Sequence, residues 1–176
     1  MRVFIAIDLP EEVKKYLIEL QKQLPEAKMS KTKDFHLTLK FLGELTPERV
    51  ERVKQILREV KFEKFSATTT GMGVFPNESY IRVVWVGLEP EKEILQLQQQ
   101  IEELLGRDFG KEKIFKAHLT LARVKFVADK DSFLRQLKEI KTERKTFAVE
   151  GFRLKESILS PKGPTYRDLA VFPQSL

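Results

Sequence analysis

Apolar positions along this chain switch repeatedly between a period of two and a period near 3.6, and the switches mark out strands and helices in turn. Residues 2–8, Arg-Val-Phe-Ile-Ala-Ile-Asp, predict a first strand, and Pro10 opens a helix reaching about Leu24. Proline suits a first turn, where its missing N–H costs little. From Phe35 to Leu42 the period is two, which puts Phe35, Leu37, Leu39 and Phe41 on a core face and His36, Thr38 and Lys40 on the opposite one. Thr46 followed by Pro47 reads as a helix cap and first turn, and Val50, Val53, Ile56 and Leu57 give that helix one apolar stripe. Strands near 64–74 and 80–87 follow, joined by a turn around Pro76-Asn77, and then a helix from about Pro90 to Leu105. The order recurs as strand 115–126, helix 129–140, strand 145–158 and strand 164–172. Strand, helix, strand, strand therefore occurs twice.

The recurrence has a sharper marker. His-Leu-Thr-Leu occurs at 36–39 and again at 118–121, and these two histidines are all that the chain has. They are separated by 118 − 36 = 82 residues, while Gly71 and Gly151 are separated by 151 − 71 = 80. Equivalent positions keep nearly one offset, which implies an internal repeat of roughly 29–88 and 111–173 within a single domain spanning 1–176. Mixed strands and helices in this order predict an α+β fold with two lobes, each an antiparallel sheet flanked by helices, related by a pseudo-twofold axis with a cleft between them.

Composition changes this picture in a few places. At 176 residues the chain suits one compact body, and 41% hydrophobic residues argue against disorder. No apolar run approaches the roughly 20 residues of a membrane helix, and the start resembles a strand rather than a signal peptide, so a cytoplasmic protein without membrane contact is expected. Zero cysteines exclude disulfides, thiolate metal sites and a cysteine nucleophile. A net charge of +6 suits a polyanionic partner without requiring one, and 33% charged residues fit equally a surface of ion-pair networks from a hot environment.

In a strand, His-x-Thr sets an imidazole beside a hydroxyl on one face. Two such pairs converging on one cleft supply two groups that exchange protons near neutral pH and two hydroxyl donors for an anionic oxygen. That set suits in-line displacement at a phosphate diester. Zinc is disfavoured, because its sites want three or four ligands and this chain has two histidines and no cysteine. Metal-free chemistry without a cofactor is expected. Lys40 shares the face of His36 and Thr38 and is a candidate to line the cleft, Phe41 has core parity, and Tyr166, with Phe75 and Tyr80 as first-half counterparts, either lines the cleft or packs in the core.

His36-Leu-Thr-Leu-Lys-Phe-Leu-Gly43 and His118-Leu-Thr-Leu-Ala-Arg123 resemble the paired motifs of the 2H phosphoesterase superfamily, in its RNA 2′,3′-cyclic phosphodiesterase (2′-5′ RNA ligase-like) branch. The opening Arg2 to Pro10 and the closing Ser160 to Tyr166 resemble that branch too. The resemblance implies hydrolysis of an RNA 2′,3′-cyclic phosphate end to a 2′-phosphate without metal, with possible 2′-5′ ligation. It implies His36 as the general acid, His118 as the general base, and Thr38, Thr120 and Arg123 as the phosphate-binding residues. Strict alternation would turn Arg123 into the core, so its role needs a bulge or a strand end. The expected partner is RNA with a cyclic phosphate end, or a related nucleotide, met by a monomer. The alternative is a non-catalytic module that binds RNA or a nucleotide in the same cleft.

Overall fold

The computed structural model describes residues 1–174 as nine strands and four helices among those residues. In chain order these are β1 (Arg2–Asp8), α1 (Glu11–Lys22), β2 (Lys28–Lys31), β3 (His36–Glu44), α2 (Pro47–Leu57), β4 (Phe65–Asn77), β5 (Tyr80–Glu89), α3 (Glu91–Phe109), β6 (His118–Phe126), α4 (Lys130–Glu139), β7 (Thr146–Val149), β8 (Phe152–Ile158) and β9 (Thr165–Phe172). Local chemistry explains the helix starts. The Thr46 and Asp129 side chains accept from the Arg49 and Ser132 backbone N–H groups at the heads of α2 and α4. Pro10 and Pro90 instead hold the extended residue before α1 and α3, and glutamates occupy both first turns, where the helix dipole favours them.

All strand pairs are antiparallel, in two sheets ordered β3-β1-β8-β9 and β2-β6-β5-β4-β7. Neither sheet is made from one half of the chain. β4 of the first half pairs with β7 of the second, and β8 of the second half pairs with β1. Where β4 meets β7, Ser66 faces Ala148, which is 148 − 66 = 82 positions later, the offset of the histidines. Phe65 faces Val149 and Ala67 faces Phe147, so equivalent residues exchange partners about that central pair. The pseudo-twofold axis passes between Ser66 and Ala148. Helices close the outer faces, and one continuous apolar core joins both sheets to them.

Three local expectations change. The strand expected over 145–158 is two strands, because Glu150-Gly151 carries the chain from one sheet to the other. β2 was invisible to periodicity, since Lys-Met-Ser-Lys holds one apolar residue and owes its extension to backbone pairing with β6. The turn expected at Pro76-Asn77 sits two residues later, at Glu78-Ser79, closed by the Asn77 side chain accepting from the Ser79 and Tyr80 backbone N–H groups.

Most consequential is an extra residue in each histidine strand. Ile5 faces Lys40 while Ala6 faces Thr38, so Leu39 is the unpaired residue of a bulge, and Val84 facing Ala122 while Trp85 faces Thr120 makes Leu121 its counterpart. Parity inverts after each bulge. Lys40 and Ala122 enter the core, Phe41 and Arg123 emerge, and the two strands share one sequence of buried and exposed positions throughout.

At the crossing between sheets, a Cβ on Gly151 would lie 2.1 Å from the Phe172 carbonyl oxygen, an overlap that backbone must relieve. Gly151→Ala is therefore expected to destabilise the fold by about 1–3 kcal/mol, read as a lower urea midpoint, whereas Gly71→Ala, whose Cβ meets nothing within 4 Å, leaves it near wild type.

Candidate active site

β3 and β6 run close to each other, one from each sheet, and turn their histidine and threonine faces into a shared cleft of ≈ 780 Å³. His36, Thr38, His118, Thr120, Arg123 and Tyr166 all line it. Lys40 does not. The bulge buries it at 2% exposure, where its Nζ donates to Glu102 Oε1 at 2.9 Å and to the Gly110 carbonyl at 3.0 Å, so the strand-face expectation for Lys40 is corrected. Phe41, expected in the core, is 58% exposed and lines the cleft. The same parity change delivers Arg123 from the equivalent position of β6.

Each imidazole meets the edge of an aromatic ring. Tyr166 stands against His36 at 5.1 Å between centroids and 82° between planes, and Phe75 stands against His118 at 4.9 Å and 84°. Phe4 adds a tilted ring to His36 at 4.9 Å. Phe75 thus fills in one half the position of Tyr166 in the other. Tyr80, the other expected counterpart, is exposed at the far end of β5 and carries the Arg82 guanidinium over its ring.

Burial among these rings holds both imidazoles below their ordinary pKa. For His36 desolvation dominates and lowers the value to about 4, while the negative charges of Asp34 and Asp8 pull upward and Lys155 pulls downward. Both carboxylates are themselves engaged by cations. Asp34 pairs with Lys14 at 3.1 Å, and Asp8 with Lys155 at 2.9 Å and Arg153 at 3.1 Å. His118 is also lowered, chiefly by desolvation, with the Lys116 carbonyl opposing and Arg123 adding to the fall. Its Nδ1 lies 2.8 Å from the Lys116 carbonyl oxygen. A carbonyl only accepts, so Nδ1 holds the proton and Nε2 keeps a free lone pair.

Around this centre the cleft is basic. Arg2, Lys31, Lys33 and Lys162 join Arg123 along its lining, against the single carboxylate of Asp34. Two rims meet where Lys33 Nζ donates to the Lys162 carbonyl. Periodicity could not find Lys31 and Lys33, which lie in and after the short edge strand, and Lys162 was visible only as part of the Ser160 to Pro164 turn. Among the described residues no three His, Cys, Asp or Glu side chains come together to hold a metal ion, and no helix is long and apolar enough to cross a membrane.

For His36, the unfolded chain takes up the proton near pH 6.5 and the folded chain only near 4, so stability present above about 6.5 is lost as the pH falls toward about 4. The urea midpoint is expected to drop over that window, with a smaller drop in His36→Gln. Proton NMR of the two histidines should show His36 titrating near pH 4, and lower still in Asp34→Asn.

Comparison with known proteins is consistent along the whole chain. The family model described as LigT like phosphoesterase matches twice, at residues 7–85 and 86–166. A curated relative from Archaeoglobus fulgidus, named RNA 2′,3′-cyclic phosphodiesterase, is 38% identical over 98% of this chain and 99% of its own. One from Thermotoga maritima with the same name is 36% identical over 96% of this chain and 93% of its own. A crystal structure from Thermus thermophilus superposes with a TM-score of 0.77 at 36% identity, covering 98% of this chain and 97% of that one. LigT of E. coli in complex with 3′-AMP superposes with a TM-score of 0.75 at 25% identity, covering 97% and 96%. Two tandem matches to one family model, on a chain whose two halves repeat the same bulged histidine strand, place this protein in the LigT-like phosphoesterase family.

Proposed function

We propose that the protein hydrolyses RNA 2′,3′-cyclic phosphate ends to 2′-phosphomonoesters by metal-independent catalysis with two histidines. One observation carries the reading. Two strands that open on the same His-Leu-Thr-Leu and share one burial pattern each bring an imidazole and a hydroxyl to a single basic cleft. The shared name of the full-length relatives supports the same activity for this chain.

His118 takes a proton from water on its free Nε2 as the water oxygen bonds to phosphorus. A neutral imidazole with a lowered pKa is available for this at ordinary pH. The bond from phosphorus to O3′ breaks, and His36 gives that oxygen a proton, leaving the phosphate on O2′. His36 is neutral in the free cleft, so it gains its proton with the substrate, whose phosphate charge raises an imidazole pKa nearby. Thr38 and Thr120 donate to the non-bridging oxygens, and Arg123 offsets the charge that grows on them. The exposed Phe41 ring offers a face for the terminal base. A 5′-hydroxyl in place of water makes the same displacement yield a 2′-5′ linkage with a free 3′-hydroxyl. The donor inventory supports the metal-free reading, since two histidines and no cysteine leave imidazole and thiolate ligands scarce.

The test is incubation, with EDTA present, with an oligonucleotide ending in a 2′,3′-cyclic phosphate, followed by identification of the terminal phosphate. A 2′-phosphate supports the assignment, a 3′-phosphate reverses the acid and the base, and no product leaves a binding module. His36→Ala and His118→Ala are each expected to cut kcat by about 10²–10⁴-fold with the far-ultraviolet spectrum unchanged. Phe41→Ala is expected to raise KM about tenfold, as loss of one base stack would, with kcat much less affected.

A further inference from the structure

Lys40 and Glu102 form a buried ion pair outside the cleft, yet the pair links β3 to the segment that leads into β6. Lys40 sits four residues after His36 on β3, and Glu102 lies on α3. The Lys40 Nζ donates to Glu102 Oε1 and to the carbonyl of Gly110, the residue that ends α3 with φ near +69°. Glu102 Oε1 also accepts from Gln98 Nε2 at 3.1 Å, and Oε2 accepts from the Glu112 backbone N–H at 3.3 Å. Both anchored backbone groups belong to the segment 110–117, which runs directly into His118 and contains the carbonyl of Lys116 that its Nδ1 meets.

We infer that the Lys40–Glu102 pair is a positioning device for His118: it ties the segment ahead of β6 to the strand carrying His36, and so holds the Lys116 carbonyl where it fixes the His118 tautomer. This rests on the proposed role of His118 as the base.

Stability alone does not account for the pair. A buried Lys–Glu pair is commonly no better than apolar residues of similar volume, because desolvating two charges offsets their attraction. The fold contains its own control, since the equivalent residue on β6 is Ala122, equally buried and uncharged. A second tie runs the other way. Gln21 on α1, also buried, donates through Nε2 at 2.8 Å to the Thr32 carbonyl, ahead of His36, and at 2.8 Å to the Leu121 carbonyl at the β6 bulge. Each helix thus sends one buried polar side chain to the segment leading into its own histidine and to the bulge of the other histidine strand. The tie that reaches His118 is the charged one, with four hydrogen bonds converging on Lys40 and Glu102.

Lys40→Met/Glu102→Leu removes both charges together and avoids stranding either one. With only two histidines, ¹⁵N NMR of the imidazoles at pH 8 reads each tautomer, with His36→Gln assigning the signals. The expected result is a wild-type His118 in the Nδ1–H form and a double variant in which that form gives way to a mixture, while His36 is unmoved. Its kcat falls at least about tenfold with KM little changed. A double variant that keeps His118 in the Nδ1–H form overturns the inference, whatever its rate. If the double variant does not fold, Glu102→Gln gives the same readout. Loss of the tautomer in a protein that never cleaves the cyclic phosphate would sustain the positioning role and reject the proposed reaction.

Discussion

Each histidine strand carries an extra residue just past its threonine, Leu39 or Leu121, and the contents of the cleft depend on that residue. Before the bulge, period two sends His36 and Thr38, or His118 and Thr120, to the open face. Without it the next open positions would be Lys40 and Ala122. With it they are Phe41 and Arg123, and Lys40 is driven into an interior that must supply a carboxylate for it. One backbone irregularity, repeated, thus puts an aromatic face and a guanidinium into the site and creates the buried ion pair.

The second constraint is the exchange of strands between halves. Each sheet contains strands from both halves, so the two halves cannot separate without breaking β1–β8, β2–β6, β4–β7 and β5–β6 pairing. A cleft between hinged domains would vary in width. Here the axis runs through the Ser66–Ala148 pair, and the walls belong to sheets that share strands of both halves. Relative placement of two imidazoles is the quantity that acid–base chemistry needs held, and backbone ladders hold it more firmly than an interface between separate domains does.

Much of this was legible in the sequence, and the failures have physical reasons. The repeated His-Leu-Thr-Leu, the alternation around it and the helix caps yielded the antiparallel α+β architecture and the two histidines and two threonines of the cleft. Arg123 was readable only as a conflict between chemistry and parity, which the bulge at Leu121 resolves. Lys40 and Phe41 were misplaced by the same bulge in the other half, where no such conflict drew attention: a lysine assigned outward and a phenylalanine assigned inward look unremarkable. β2 and the break between β7 and β8 escaped because both are decided by which distant strand offers its backbone, and apolar period carries no record of that.

Symmetry by itself would give two equivalent histidines, which is the wrong arrangement for a reaction that needs one donor and one acceptor. The chain breaks that symmetry at equivalent positions: Phe41 against Arg123, Lys40 against Ala122, and Tyr166 against Phe75. The consequences all point one way. His118 has a carbonyl to fix its proton on Nδ1 and a guanidinium nearby to discourage a second proton, both of which suit an acceptor. His36 lies beside Asp34 and Asp8, whose charges favour its protonated form against strong desolvation. Under the proposed reaction the phosphate adds the last increment of negative charge, so the donor becomes charged when there is an oxygen to receive its proton. In that view the ion pairs at Asp34 and Asp8 offset part of those charges, and desolvation keeps His36 neutral until the phosphate arrives.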